Sequence, residues 1–180
     1  MSDGNFREGE PALILLSGLP GAGKTTFAEA LAEALEFFHV ESDAIRRALA
    51  PVPRYTPAES SAVFARVEAA AAAALAEGRH ALVDATNLTP RDRRRFLRLA
   101  DRTGANLVAV RVTAPDEVIR DRLRKPRDGH SQADLRVYEL MKGRARPWAT
   151  AAVVVDTRFP LEPSVALVAA LAERGMRDEG

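Results

Sequence analysis

The chain has 180 residues, the length of one compact domain, and carries 26 basic against 25 acidic residues for a net charge of +1. That balance argues against a surface built to coat nucleic acid, and the absence of cysteine excludes disulfides, thiolate metal sites and thiol nucleophiles. No apolar run approaches the roughly 20 residues of a membrane-spanning helix, and the first ten residues are polar rather than leader-like, so a cytoplasmic location is expected.

The first predicted element is Ala12–Ser17, an apolar run without polar alternation, as in a strand buried on both faces of a parallel sheet. A glycine-rich turn and a helix over 24–36 follow. A strand at 37–40 leads into a helix over Ser42–Leu49, and then into a proline-rich loop at 50–57 on the substrate side. The next helix, 58–77, is mostly alanine between 67 and 76, which points to close packing by strong helix formers. After a strand at 81–83 come a helix over Pro90–Thr103, a strand over Asn106–Thr113, and helices over 115–124 and 131–144. A last strand at 152–155 and a helix at 163–174 close the pattern. Thr89-Pro90, Ala114-Pro115 and Ser131 supply helix-start signals. The alternation predicts one α/β unit over 1–180: a parallel sheet with right-handed crossovers and helices on both faces, binding ligands beyond the carboxyl ends of its strands. Each motif below follows a strand.

Directly after the first strand stands Gly18-Leu19-Pro20-Gly21-Ala22-Gly23-Lys24-Thr25, a full match to G-x-x-x-x-G-K-[ST]. Glycines let the backbone wrap phosphates with its N–H groups inward, and the next helix aims its positive end at the same anion. Gly18, Gly21, Ala22, Gly23, Lys24, Thr25 and Thr26 are therefore the expected nucleotide contacts, with Lys24 also catalytic and Thr25 a magnesium ligand. Asp84, closing the run Ala81-Leu82-Val83, is the second expected magnesium-side acid.

A nucleotide site alone also fits a GTPase switch or an ATPase module. The chain lacks an N-K-x-D or T-K-x-D guanine signature and an L-S-G-G-Q segment. Two features favour transfer to an acceptor. Asp43 follows the second strand, placed to take a proton from an attacking hydroxyl, and Arg46 shares its helix face as a clamp for acceptor phosphate or carboxylate. Arg120, Arg122, Arg124, Lys125 and Arg127, with Gly129 and Ser131 after them, resemble a lid over about 120–132 that closes on the phosphates. Arg124 and Arg127 are the expected catalytic arginines.

GLPGAGKTT, SDAIRR, VDATNLTPRDRR and the arginine-rich stretch run in the order seen in kinase domains related to polynucleotide 5′-kinase. Across residues 12 to 155 the chain resembles that group, within AAA-type small P-loop kinases that include zeta-toxin-like and seryl-tRNA kinases. The resemblance implies a strand order of 2-3-1-4-5, Mg²⁺-ATP as donor, and Asp43 as general base. It also places Arg46, Thr86 and Asn87 at the acceptor, and a lid arginine near 124–127 on the donor phosphates. A polynucleotide 5′-hydroxyl is the acceptor it suggests first, with a nucleoside, sugar or antibiotic hydroxyl as the alternative and a non-kinase ATP switch as the rival class. Arg91, Arg93, Arg94, Arg95 and Arg98 are read as a solvated helix face. His39, His80 and His130 lack metal-ligand spacing and are read as incidental. Residues 143–148 and 156–158 are candidates to flank the adenine, although Trp148 is expected to pack.

Overall fold

A computed structural model describes residues 9–50, 54, 56–125, 135–148 and 151–174. The chain runs β1 (Ala12–Ser17), α1 (Lys24–Ala32), β2 (Phe38–Glu41), α2 (Ser42–Leu49), α3 (Pro57–Ala76), β3 (Ala81–Asp84), α4 (Pro90–Thr103), β4 (Asn106–Thr113), α5 (Asp116–Arg124), α6 (Leu135–Arg144), β5 (Val153–Asp156) and α7 (Glu162–Glu173). Five parallel strands lie in the order β2-β3-β1-β4-β5, the order that the resemblance implies.

β1 is central because all six of its residues are buried. Alternate side chains face opposite sides of the sheet. Ile14 and Leu16 pack with Phe27, Leu31 and Val168 of α1 and α7, while Leu13 and Leu15 pack with Val63, Val67, Phe96 and Leu99 of α3 and α4. The alanine-rich α3 buries Val63, Val67, Ala71 and Ala74, three or four residues apart, and small side chains at those positions let it lie close on the sheet. Thr56 caps α3 by accepting from the Glu59 N–H at 3.1 Å, with Pro57 in the first turn. Thr89 and Asp92 form a capping box at α4.

Two boundaries differ from expectation by more than one residue. The first helix ends at Ala32 rather than 36, because the N–H groups of Ala34 and Leu35 turn back to the Leu31 carbonyl before β2. The helix expected from 131 is described from Leu135, residues 131–134 lying outside the described residues. No helix among the described residues is long and apolar enough to cross a membrane.

His80 is not incidental. At the amino edge of the sheet its Nδ1 accepts from the Ala12 N–H at 2.9 Å in a buried setting, joining the starts of β1 and β3. Burial pushes its pKa below the ordinary histidine value, a shift that Glu173 partly opposes. A histidine depressed in the fold leaves the unfolded chain binding more protons just below pH 6.5. Stability is therefore expected to be full above pH 6.5 and to fall as pH drops through the folded pKa. His80→Ala should remove that acid-side loss and cost about 1–3 kcal/mol at pH 7.5 by orphaning a buried N–H, as read by urea unfolding at both pH values.

Candidate active site

The glycine-rich turn between β1 and α1 has the backbone that the motif requires. Gly21 (φ 79°) and Gly23 (φ 100°) are left-handed, and a Cβ on Gly23 would lie 2.9 Å from Thr157 Cγ2. A Cβ on Gly18 would meet the Val112 carbonyl oxygen at 2.5 Å. The turn is pinned by Gly18 N–H to the Thr86 carbonyl (3.1 Å) and Ala22 N–H to the Leu19 carbonyl (3.1 Å). α1 then opens on Lys24 with no side-chain cap and no acidic residue in its first turn, and Thr25 and Thr26 are exposed there. Uncapped N–H groups at a helix start, with no local carboxylate to compete, suit a bound phosphate. Lys24 Nζ donates to the carbonyls of Gly18 (3.1 Å) and Leu19 (3.4 Å), which holds the ammonium over the turn.

Arg122 braces this turn from outside. Its Nη1 donates to the carbonyls of Gly21 and Ala22, both at 3.3 Å, and to Thr157 Oγ1 at 2.8 Å, while Nη2 reaches the Thr157 carbonyl at 3.1 Å. Thr157 Oγ1 in turn donates to the Ala22 carbonyl at 2.8 Å. Residues 156–158, candidates for the adenine, thus include a strut for the cradle. Of the two arginines expected to be catalytic, Arg124 pairs with Asp121 at 3.0 Å on an exposed surface, and Arg127 lies outside the described residues. Arg120 and Lys142 converge with Tyr138 on Asp116, fastening α5 to α6 and holding the Asp116 carboxyl far below the usual carboxylate range. The Arg122→Ala change is expected to weaken nucleoside triphosphate binding about tenfold, the loss of roughly one charge-assisted bond's stabilisation, with the fold retained; titration calorimetry beside circular dichroism reads it.

Asp43 stands in the first turn of α2, beyond the carboxyl end of β2. Asp43 is exposed to solvent, yet the protein packed around its carboxyl desolvates the charge and raises its pKa; Lys24 pulls it down and Asp84 pushes it up. Those influences put Asp43, Lys24 and Asp84 in one electrostatic neighbourhood. Asp84 is 9% exposed and in register with Glu41 on the adjacent strand. His39, on β2, lies between these acids: Nε2 is 3.7 Å from Asp84 Oδ2 and Nδ1 is 3.7 Å from Glu41 Oε1. Histidine placed by strand register on two acids leaves no short-range sequence signal.

The remaining candidates take local partners. Arg46 is buried and donates through Nη1 to Glu59 of α3 at 2.5 Å. Thr86 turns its carbonyl to Gly18 N–H and to Ser17 Oγ. Asn87 is fully buried in a left-handed conformation (φ 45°) and donates from Nδ2 to the Leu16 carbonyl at 2.6 Å, so it fastens the β3–α4 loop to β1. Its Oδ1 is buried without a hydrogen-bond partner. Arg93 departs from the solvated face expected of its run. It is 5% exposed, donates to the carbonyls of Asn87, Leu88, Arg146 and Pro147, and stacks on Trp148, which packs at the edge of the α3–α4 core.

A family model described as an AAA domain matches residues 13–148. The chain belongs to this AAA-domain family. The match takes in the cradle, Asp43, Asp84 and the α4–α6 region. An uncharacterized Mycobacterium tuberculosis protein is 29% identical over 165 residues, covering 85% of this chain and 33% of that protein, as is one from Mycobacterium bovis. The AAA-domain chain thus spans about a third of the length of these curated relatives. Among solved structures, Kti12 of Chaetomium thermophilum in complex with ADP-AlF3 is 18% identical with a TM-score of 0.71, over 92% of this chain and 100% of that one. The Mycobacterium tuberculosis APS kinase CysC, in complex with AMPPNP and APS, is 16% identical with a TM-score of 0.69, over 91% and 99%. A gluconokinase from Sinorhizobium meliloti 1021 is 22% identical with a TM-score of 0.65, over 93% and 94%. At these identities the likeness is one of fold, and the fold is that of P-loop kinases.

Proposed function

We propose that the chain is an ATP-dependent phosphotransferase that moves the γ-phosphate of Mg²⁺-ATP to an acceptor hydroxyl. The observation that carries this reading is the Asp43 carboxyl, open to solvent at the start of α2 and electrostatically coupled to Lys24 of the phosphate turn and to Asp84. A base held above the usual carboxylate range, beside a cation that serves phosphates, suits proton removal from an alcohol as phosphorus accepts its oxygen.

The turn fits a triphosphate: Gly18, Gly21, Ala22 and Gly23 supply backbone, Lys24 the cation, and Thr25 and Thr26 hydroxyls at the start of α1. Among the described residues no cluster of three or more His, Asp or Glu side chains is arranged to hold a metal. Magnesium, with Thr25 and Asp84 as its protein side, would take the rest of its oxygen shell from phosphate and water. When bound it supplies charge neutralisation on the phosphates. Lys24 positions the donor, Asp43 accepts the proton, and an arginine of the basic stretch, with Arg124 and Arg127 as candidates, offsets charge at the transferring group.

A polynucleotide 5′-hydroxyl is the first acceptor, with Arg46, Thr86 and Asn87 on its side. A small hydroxylated molecule is the second reading, favoured by Arg46, whose guanidinium is engaged by Glu59, and by the removal of Arg93 from the basic face. The test is incubation with γ-labelled ATP and Mg²⁺, against a 5′-hydroxyl oligonucleotide in one arm and pooled nucleosides, sugars and aminoglycosides in the other. Label on either acceptor supports transfer and names its class. ATP that binds and is never passed to any acceptor would replace this reading with an ATP-driven switch.

A further inference from the structure

A cavity of about 370 Å³ lies on the far side of the phosphate turn, enclosed by Gly18 and Leu19 at the turn, Arg111 through Ala114 at the end of β4, and α5, α6 and the 145–148 segment. Gly18 and Ala22 of the phosphate turn form part of its wall, so it adjoins the site proposed for transfer, while Gly21, Gly23, Lys24, Thr25 and Asp43 do not line it. Its size matches a small organic ligand, and its walls include Leu88, Ile119, Tyr138, Pro147 and Trp148.

Its charge is lopsided. Three guanidiniums line it: Arg93, Arg111 and Arg146. Arg93 donates only to carbonyl oxygens, and Arg146 donates to those of Gly143 and Ala145. Among the described residues no carboxylate pairs with Arg93, Arg111 or Arg146. The single acid on the wall, Asp116, is taken up by Tyr138, Lys142 and Arg120. Burial lowers the Arg93 pKa; Asp92 opposes that shift, and Arg111 is close enough to add to it. A buried cation held by carbonyls alone, beside exposed Arg111 and Arg146, leaves positive potential along the cavity wall. Trp148 adds an indole N–H that is buried without a hydrogen-bond partner.

We infer that this cavity binds a small organic anion: an apolar or aromatic body bearing one oxyanion, carboxylate or phosphate ester, set against Arg93 and Arg111. The inference stands on the cavity and its charge, independently of the phosphotransferase reading.

Trp148 is the only tryptophan of the chain, so its fluorescence reports on the cavity alone. Benzoate and phenyl phosphate are titrated against the full chain, with benzyl alcohol as the uncharged control. A saturable response to at least one anion is expected, stronger for phenyl phosphate if the ligand is a phosphate ester and for benzoate if it is a carboxylate. Arg111→Gln, at an exposed position, should weaken it about tenfold. Ala145→Phe, which fills the cavity without touching its charge, should abolish it. Lys24→Ala should leave it intact. Equal binding of benzyl alcohol, no saturable response to either anion, no weakening in Arg111→Gln, or loss of the response with Lys24→Ala would each overturn the inference, the last by placing the anion in the phosphate turn.

Discussion

Asp43→Asn protein is expected to bind Mg²⁺-ATP with wild-type affinity and to transfer its phosphate at least about a hundredfold more slowly, the lower end of what a positioned general base contributes. The substitution keeps the size and the first-turn position of the side chain and removes its ability to hold a proton. Its second signature is in stability. The folded pKa of Asp43 is raised, chiefly because neighbouring protein desolvates its carboxyl, so the ionised carboxylate is disfavoured in the fold. The stability that Asp43 contributes is full below its unfolded value of about 3.8 and lost as pH rises through the folded pKa. Asparagine does not titrate there, so the variant should gain on wild type across that same rise and melt no lower at pH 7. Melting curves for both proteins from pH 4 to 8 read this. Undiminished transfer would remove Asp43 as base, and a lower melting temperature at pH 7 would contradict the desolvation of its charge.

Arg93→Ala carries the second large effect, on stability. The guanidinium ties four carbonyls, those of Asn87 and Leu88 in the β3–α4 loop and those of Arg146 and Pro147 after α6, with distances from 2.7 to 3.4 Å. Truncation leaves these acceptors and the Trp148 face bare, and a loss of about 3–5 kcal/mol is expected from urea unfolding, since bonds to a charged donor are worth about 1.5–3 kcal/mol each and overlap. Lysine should rescue little, because a single ammonium cannot span four acceptors that a planar fork reaches. Arg94→Ala, one residue on and exposed, should change stability by no more than about 0.5 kcal/mol. A small effect at Arg93 would mean that the loop and the 146–147 segment are held by other contacts.

That contrast also shows where the sequence stops being legible. The phosphate turn was readable because glycines at fixed spacing serve a backbone shape, and the strand order followed from a resemblance spread over residues 12 to 155. Arg93 was not readable: in a run of five arginines on one helix, periodicity alone does not tell which one meets a loop's carbonyls. Asn87 sits in a short motif whose pattern points to an acceptor, yet its buried amide grips β1, a task set by three-dimensional proximity over 71 positions. His80 and His39 act through strand register, which brings them to Ala12 and Asp84 from far along the chain. Arg122 stood in the expected cluster, but only the path of the chain after β5 reveals that its partner is Thr157.

The bond from Thr157 to Ala22 spans 135 positions, and with Arg122 it makes the phosphate turn dependent on the last strand. On a ribosome, the glycine motif is made before the β5–α7 turn and waits for it before its strut exists. At typical elongation rates of about 5–20 residues per second, that interval is roughly 7 to 27 s. A nascent chain ending before residue 157 has the motif without its brace, and β1 without β5's support of β4. Bracing of the glycine turn is therefore a late event of synthesis that registers the arrival of β5 and of Thr157 after it.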